Sequence, residues 1–460
     1  MKKVNIISVS AAVGTMVGGV ALASPPNVSN VTLTQPQNMR VAKVEYTVDE
    51  PCITTFKFKT NGVEVSRSEM VHIVRGDINR YVAAGPHEFT WDALQDIPER
   101  MLFNLSVEVT AWATNHTPLF CAVNLEGGPS RVFWYNSEAE LPHPVNTSYW
   151  KNDWLLMRKI PVSPSEGVWL GGRADDSTWK QNNEQPLRLV HITKPFYVGV
   201  FEVTQKQYNW VTGTWPDYYT NALFRAERPL GRVTWESIRG NGASGQAYDW
   251  PTAGHAVLTN SFMGLMRSRT GGMIEFDLPT EAQWEYACRA GTTGTIANGI
   301  HLVPPVLNIT DPNTDVNANL LMRYQRNGGM VDNGAGGFAR APFDCTDEFA
   351  TARVGSYPPN AWGLYDMQGN VSEWCLDWQS ALAETNASTT DPTMEGNDPV
   401  GPTTGLENRR MVRGGSITSA AHYCRPAARR TYYTQSTLGS NGEIGFRVVA
   451  PAEVMAAPAP

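Results

Sequence analysis

Hydrophobic and polar residues alternate along much of the chain between residues 28 and 135, with the period of two that is typical of half-buried β-strands. Turn-forming pairs such as Asn61-Gly62 and Gly85-Pro86 separate the alternating segments. Several short strands at this spacing favour an all-β, immunoglobulin-like sandwich over residues 24–135. The alternating segments are Val28–Thr34, Val41–Val48, Thr54–Phe58 and Leu105–Trp112.

Helix signals replace this alternation beyond residue 150. Thr204 and Thr280 each precede a Gln at the third following position, which is the capping-box arrangement of a helix N-terminus. We predict that the first helix ends at Gly213 and the second near Gly291. The second half of the chain therefore mixes helices with long irregular stretches.

Two short segments, one between these regions and one at the C-terminus, have the composition of connecting or terminal chain. Residues 136–150 are polar and contain two prolines, which predicts a linker to a second domain over residues 151–450. Residues 451–460 are rich in Ala and Pro and predict a disordered tail.

Composition narrows the class of protein. The 460 residues are 42% hydrophobic and 18% charged, with a formal net charge of −7. This length admits two or three domains, each with an ample core. The low charged fraction, with 40 Gly, 31 Pro and 15 Trp, argues against a coiled coil or a charge-rich disordered chain. No cluster of Lys and Arg occurs, so we expect no nucleic-acid partner.

The N-terminus has the pattern of a secretory signal peptide. Lys2 and Lys3 precede a weakly apolar run, and Ala21-Leu22-Ala23 forms a cleavage site before Ser24. We predict a signal peptide over residues 1–23 and export to the periplasm, the cell surface or the medium, with no membrane span after removal. A retained membrane anchor is the alternative, although a run rich in Gly and Ala is weakly apolar for a span.

Cysteines in an exported chain suggest disulfides. Six cysteines allow up to three pairs, and the sequence does not fix the pairing. Cys52 and Cys121 are candidates for closing the β-sandwich. Cys424 is a candidate partner of Cys375, or else a small buried side chain.

Seven short motifs in the second half occur in a characteristic order. Together they closely resemble the formylglycine-generating enzyme (sulfatase-modifying factor) superfamily over about residues 150–450. The resemblance implies an α+β domain with a loop-rich variant of the C-type lectin fold. The motifs are Phe196–Thr204, Arg232–Trp235, Leu278–Ala287, Gly363–Met367, Gly369–Trp374, Arg413–Ser416 and Gly445–Arg447.

Two carboxylates flanking a Gly-Asn turn suggest a calcium site. Asp366 and Glu373 stand on either side of Gly369-Asn370, and Ca²⁺ prefers such hard oxygen ligands. The resemblance implies a ligand set of Asp366, Glu373 and the carbonyls of Gly369 and Val371. It also implies a second calcium site, and this site comprises Asn319, the Leu320 carbonyl, Asp347 and the Phe349 carbonyl. The alternative is a solvent-facing Asp and a Glu that caps a backbone turn.

The segment from Gly414 to Arg425 corresponds to the copper site of the oxidase members. Those members read Gly-Gly-Ser-x-x-Cys-His-x-x-x-Cys, and their two Cys bind Cu(I) where O₂ oxidises a substrate cysteine to formylglycine. Ser416 and Cys424 match this pattern, but Ser419 replaces the first Cys and Ala420 replaces the His. A hard, protonated hydroxyl cannot replace a thiolate on Cu(I), so copper and the catalytic roles of Ser416, Ser419 and Cys424 are in doubt.

Three functions remain open at this point. The leading one is an exported family member that binds a peptide, protein or glycan through a calcium-supported, lectin-like domain without copper-cysteine oxidation. The second is a formylglycine-generating oxidase that acts on a sulfatase cysteine. The third is a surface-display protein with variable binding loops near residues 416–441.

Overall fold

A computed structural model describes most of the chain, and its residues group into two compact units. One unit comprises the described residues up to Trp150, Thr270–Ile274 and the described residues from Ala452, and the other comprises Lys151–Arg269 and Glu275–Pro451. No helix in the described part of the chain is both long and apolar enough to cross a membrane. The predicted signal peptide lies outside the described residues, which are 26–35, 41–65, 75–98, 102–127, 131–173, 181–216, 224–302, 315–332, 338–340, 350–380, 391–434 and 443–454.

The first unit is built almost entirely of strands. Strands β1, β2, β7 and β5 form one antiparallel sheet, and a second sheet joins β4, β3 and β6 with β8 paired to β3. Strands β9 and β10 form a hairpin. The elements are β1 (Val28–Thr34), β2 (Val41–Val48), β3 (Cys52–Thr60), β4 (Val63–Glu64), β5 (Arg75–Gly76), β6 (Arg80–Val82), β7 (Gly85–Asp92), α1 (Ala93–Asp96), β8 (Ser106–Trp112), β9 (Phe120–Asn124) and β10 (Val132–Tyr135).

The inward-facing residues of the two sheets share one hydrophobic core. Phe56 packs against Phe89 with ring centroids 5.1 Å apart, and Phe58 packs against Trp91 at 4.8 Å. This arrangement follows from the alternation, because every second residue of a strand points to the same face. The predicted strands are therefore present. The immunoglobulin-like topology is not confirmed.

The segment predicted as a linker and the start of the predicted tail are both ordered. Leu141, Val145 and Trp150 are buried, and helix α2 (Ser148–Asn152) begins within the segment. Burial of these three apolar side chains stabilises the folded segment, whereas a solvated linker would leave them in water. In the predicted tail, Val454 N donates to Thr114 O at 2.9 Å. Residues 455–460 lie outside the described part.

The second unit mixes short strands with helices. Its helices are α3 (Gln205–Thr212), α4 (Trp235–Arg239), α5 (Phe262–Arg269), α6 (Glu281–Arg289) and α7 (Val316–Leu321). Its strands are β11 (Trp154–Ile160), β12 (Val168–Leu170), β13 (Arg188–His191), β14 (Phe196–Gly199), β15 (Met330–Asp332), β16 (Phe338–Arg340), β17 (Ser372–Trp378), β18 (Gly396–Asn397), β19 (Arg409–Arg413), β20 (Arg430–Tyr433), β21 (Ile444–Gly445) and β22 (Val449–Pro451).

Small sheets organise this unit. Strand β14 pairs with β11 and β22, and β13 pairs with β12 and, in parallel, with β18. A further sheet runs in the order β20, β19, β17, β21. Helix α6 and strand β17 contribute Trp284 and Cys375 to the same hydrophobic core. The α+β class predicted for this region is therefore observed.

Both predicted capping boxes are present. The Thr204 hydroxyl accepts from Gln207 N, and the Gln207 side chain accepts from Thr204 N at 3.0 Å. Thr280 and Gln283 repeat this exchange at the start of α6. Helix α3 ends at Gly213 with φ 75°, whereas α6 ends with Ala290 in the left-handed region, one residue before the predicted Gly291.

Candidate functional site

The Gly-Asn turn before β17 and the segment after β19 meet in the second unit. Gly369 N donates to Gly414 O at 2.8 Å, and Ile417 N donates to Asn370 O at 3.1 Å. The Gln368 side chain donates to Cys424 O at 2.7 Å. The structure therefore brings together the two places that the sequence singled out separately, and they form one candidate site.

Glu202 holds the turn in place, a role that the sequence analysis did not assign. Its carboxylate is fully buried and accepts from Asn370 Nδ2 at 2.7 Å and from Val371 N at 3.0 Å. The Asn370 Oδ1 atom accepts in turn from Ala352 N at 2.9 Å. An acidic residue inside the apolar run Val200–Val203 is the signal that would have found it, because buried carboxylates need specific partners.

Asp366 lies beside this buried carboxylate. Its Oδ2 accepts from Gly355 N at 2.6 Å, and burial raises the pKa of Asp366 to about 6 against the opposing charges of Arg447 and Lys151. Burial also raises the pKa of Glu202 well above its usual range, and the charges of Asp366 and Glu373 add to that effect. The cluster therefore concentrates negative charge in a place that favours a cation or a retained proton.

Glu373 is occupied by protein donors. Arg447 donates to its Oε1 at 2.9 and 3.1 Å, and Trp284 Nε1 donates to its Oε2 at 2.7 Å. Ligation of calcium through this carboxylate would have to displace the guanidinium, so the side chain of Glu373 does not fit the ligand role. Asp366 and the carbonyls of Gly369 and Val371 remain suitable oxygen donors.

Only two of the four residues implied for the second calcium site lie in the described part of the chain. Asn319 and Leu320 lie in α7, where Asn319 N donates to Asp315 O and the Leu320 side chain is 64% exposed. Asp347 and Phe349 lie outside the described residues. Among the residues that the structure does describe, no group of three or more His, Cys, Asp or Glu side chains could hold a metal ion.

Ser416 and Ser419 close a tight turn on each other. The Ser419 hydroxyl accepts from Ser416 N at 3.0 Å, and Ser419 N donates to Ser416 O at 2.8 Å. The Ser416 hydroxyl shares a 3.0 Å hydrogen bond with Thr418 Oγ1. Both serines are buried. Their hydroxyls therefore support the turn, and the residues present do not fit a Cu(I) site.

Cys424 is a core residue. Its side chain is fully buried in a hydrophobic cluster with Met322 and Tyr324, and burial raises the pKa of the Cys424 thiol to about 12. A Cβ atom at Gly415 would lie 2.7 Å from Cys424 Sγ, which explains the need for glycine beside it. The thiol is therefore protonated at neutral pH, whereas nucleophilic and metal-binding cysteines need the thiolate.

The expected disulfides are not confirmed. The five described cysteines are all buried and unpaired, and Cys345 lies outside the described residues. Cys375 and Cys424 belong to different hydrophobic clusters, so they are not the pair considered from the sequence. Cys52 and Cys121, the expected closure of the first unit, are also unpaired.

Two of the three arginines that follow Cys424 are buried in ion pairs. Arg425 contacts Glu184 at 2.6 Å, and Arg429 contacts Glu281 at 2.6 Å. Arg430 stacks over Tyr423 with its Cζ atom 4.3 Å from the ring centroid. Burial, followed by the charges of Arg425 and Arg430, lowers the pKa of His422 to about 4. His422 is therefore neutral at pH 7.

Helix α6 contributes a second buried carboxylate that sequence reasoning missed. Glu285 accepts from Arg413 at 2.5 Å, from Arg289 at 2.7 Å and from Gly171 N at 2.8 Å, with Arg188 at 3.7 Å. Burial alone would raise the pKa of Glu285, but the three guanidinium groups outweigh it and lower that pKa to about 2. This carboxylate ties α6 to β19, the strand that leads into the candidate site.

Comparison with known proteins identifies the class of this α+β unit. Residues 159–452 match the FGE-sulfatase family, described as a sulfatase-modifying factor enzyme 1-like domain. The chain therefore belongs to this family. It is 33% identical to the formylglycine-generating enzyme of Mus musculus over 322 residues, which cover 64% of this chain and 75% of that protein.

Two other proteins are similar to this chain. The formylglycine-generating enzyme of Streptomyces coelicolor is 35% identical over 181 residues, or 38% of this chain and 47% of that protein. The structure of Treponema denticola variable protein 1 matches with a TM-score of 0.43 and 20% identity, and the match covers 65% of this chain and 95% of that one. The lectin-type assignment of the fold stays a prediction.

Proposed function

We propose that this protein is a non-oxidising member of its family that binds a peptide, protein or glycan ligand at the surface formed by residues 416–434. The observation that carries the proposal is the state of the copper positions: Ser419 is committed to a turn, and Cys424 is a buried, protonated thiol. We also propose export, on the strength of the pattern in residues 1–23.

Partly exposed side chains on this segment are the proposed ligand contacts. Thr418, Tyr423 and Arg430 are half-buried, and the Tyr423 ring contacts both the His422 ring and the Arg430 guanidinium. An aromatic ring and a cation side by side suit a polar ligand with an apolar face. The surface-display alternative uses the same segment, whereas the oxidase alternative needs a reactive thiol.

Peptide binding should not depend on a cysteine in the ligand. We expect a fluorescent sulfatase-type cysteine peptide and its serine counterpart to bind with equal affinity, measured by fluorescence anisotropy, because no thiolate exchange is involved. Tyr423→Ala should weaken both by about tenfold, the loss of one aromatic and one cation–π contact. Lys194→Gln, an exposed change elsewhere, should have no effect. A preference for the cysteine peptide that Cys424→Ala removes would contradict the proposal.

Calcium is proposed to support the site through Asp366 and the carbonyls of Gly369 and Val371. A ligand that binds only the folded state at 100 times its Kd stabilises it by about 2.7 kcal/mol. We therefore expect a lower melting temperature in EDTA than in calcium, measured by differential scanning fluorimetry, and no such difference in Asp366→Ala.

Glu373→Gln is the informative comparison for this calcium prediction. Because the Glu373 side chain binds Arg447 and Trp284, its replacement should lower the melting temperature in both buffers and retain the calcium-dependent difference. Identical melting curves of the wild type with and without calcium, together with no calcium by elemental analysis, would rule the site out.

A further inference from the structure

A basic and aromatic surface surrounds helix α3 in the second unit. We name it the α3 patch, and it comprises Lys206, Trp210, Trp215, Phe224, Arg225 and Arg353. Trp215 is 39% exposed, and Arg353 is also exposed. Exposed Trp beside Arg is a composition enriched at recognition surfaces, so the patch merits a functional explanation.

Cation–π contacts connect four of these side chains, and a further contact pairs the other two. Lys206 Nζ lies 5.0 Å from the Trp210 ring centroid and 5.7 Å from that of Trp215. Arg225 Cζ lies 4.8 Å from the Trp215 centroid. Arg353 Cζ lies 4.3 Å from the centroid of Phe224, the chain neighbour of Arg225.

The positive charges of the patch lack counter-charges among the described residues. Arg225 donates to Gln205 Oε1 at 3.3 Å and to the Pro216 carbonyl, and neither acceptor carries a charge. No described carboxylate forms an ion pair with Lys206, Arg225 or Arg353. Two acids lie near the patch, and neither forms an ion pair with these three cations: Asp153 accepts from Trp210 Nε1, and Glu227 faces Lys151 at 4.0 Å.

We infer that the α3 patch binds an anionic saccharide, and this site is separate from the ligand contacts proposed at Tyr423 and Arg430. The apolar C–H face of a sugar ring stacks on the exposed part of Trp215. A carboxylate or sulfate on that ring then meets Lys206 and Arg225, whose cations need a partner. The α3 patch therefore offers both an aromatic surface for the sugar ring and cations for its anionic group.

Other anionic ligands fit the patch less well. A nucleic acid needs a long row of cations at phosphate spacing, whereas the patch holds three in a chain with a net charge of −7. An acidic peptide offers carboxylates to these cations, but its flexible side chains lack the rigid C–H ring face that would stack on Trp215. A saccharide needs only an aromatic face and a localised charge.

Isothermal titration calorimetry of the mature full-length protein tests this inference with three oligosaccharides of equal length. The probes are oligogalacturonate, which carries carboxylates, sulfated dextran, which carries sulfates, and neutral dextran. We expect at least one anionic probe to bind about tenfold or more tightly than neutral dextran, with an affinity that falls as salt rises. The stronger of the two probes identifies the anionic group.

Variants locate the site and provide the controls. Trp215→Ala and the double variant Lys206→Gln, Arg225→Gln should each weaken the anionic probe by about tenfold. Trp169→Ala and Lys194→Gln remove an exposed Trp and an exposed Lys elsewhere on this unit and should leave the affinity unchanged. Equal binding of neutral dextran, tighter binding of poly-Glu or of single-stranded DNA, or no binding of either anionic probe would overturn the inference.

Discussion

Glu285→Gln is expected to lower the free energy of unfolding by about 3–5 kcal/mol, the usual cost of removing one partner from a buried ion pair. Glu285 is fully buried and forms ion pairs with Arg413 and Arg289. The variant therefore removes the ion pair of Arg289 and leaves Arg413 with only the Glu281 carboxylate, at 3.5 Å. Urea unfolding followed by tryptophan fluorescence measures the change.

An exposed ion pair supplies the matched control for Glu285. Glu407 contacts Arg409 at 3.2 Å but is 59% exposed, so Glu407→Gln should cost less than about 1 kcal/mol. If both variants lost the same free energy of unfolding, the buried Glu285 ion pairs would contribute no more to stability than an exposed pair.

The loss in Glu285→Gln should also depend on pH. The pKa of Glu285 is about 2 in the folded protein against an ordinary 4.5. A depressed carboxyl pKa stabilises the fold above pH 4.5, and that stabilisation is lost as the pH falls from about 4.5 to about 2. The gap between wild type and variant should therefore narrow over this window. Asp377, whose pKa burial raises to about 7, contributes equally to both proteins and cancels from the comparison.

Formylglycine is not expected from a sulfatase-type cysteine peptide, even with copper and O₂ supplied. Ser419 provides a hydroxyl bonded to Ser416 N where the oxidases have a thiolate, and the Cys424 thiol has a pKa of about 12. Mass spectrometry of the peptide for the aldehyde is the measurement. The Streptomyces coelicolor enzyme is the positive control under the same conditions.

Restoring one thiol should not restore turnover. Ser419→Cys is expected to add copper binding but little product, because Ala420 also departs from the oxidase pattern and the thiol at 424 remains buried. Aldehyde formation by the wild type that Cys424→Ala abolishes would establish the oxidase alternative instead.

Local patterns were enough to predict most of the elements. The period-of-two segments became β1, β2, β3 and β8, and the two Thr-x-x-Gln signals became the capped ends of α3 and α6. These features depend on neighbours within a few residues, so the sequence specifies them directly. The ordered motifs likewise identified the family, which the match over residues 159–452 confirms.

The roles of the polar residues depended on partners far along the chain. Sequence spacing placed Glu373 on a turn with Asp366, but Arg447, 74 residues away, occupies its carboxylate. Glu202 reaches Asn370 across 168 residues, and no local pattern indicates that pair. The sequence allowed Cys424 to be either reactive or inert. Burial of its thiol beside Met322 and Tyr324, about 100 residues earlier in the chain, made it inert.

The sequence by itself determined the elements, the family and the missing copper thiolate, because each of these is a property of residue type and short spacing. Only the tertiary structure decided which carboxylates are paired, which thiol is protonated and which cations have no counter-charge among the described residues. Those outcomes depend on burial and on distances between residues that are remote in the chain. Desolvation and Coulomb interactions act through space, so the order of the residues does not encode them locally.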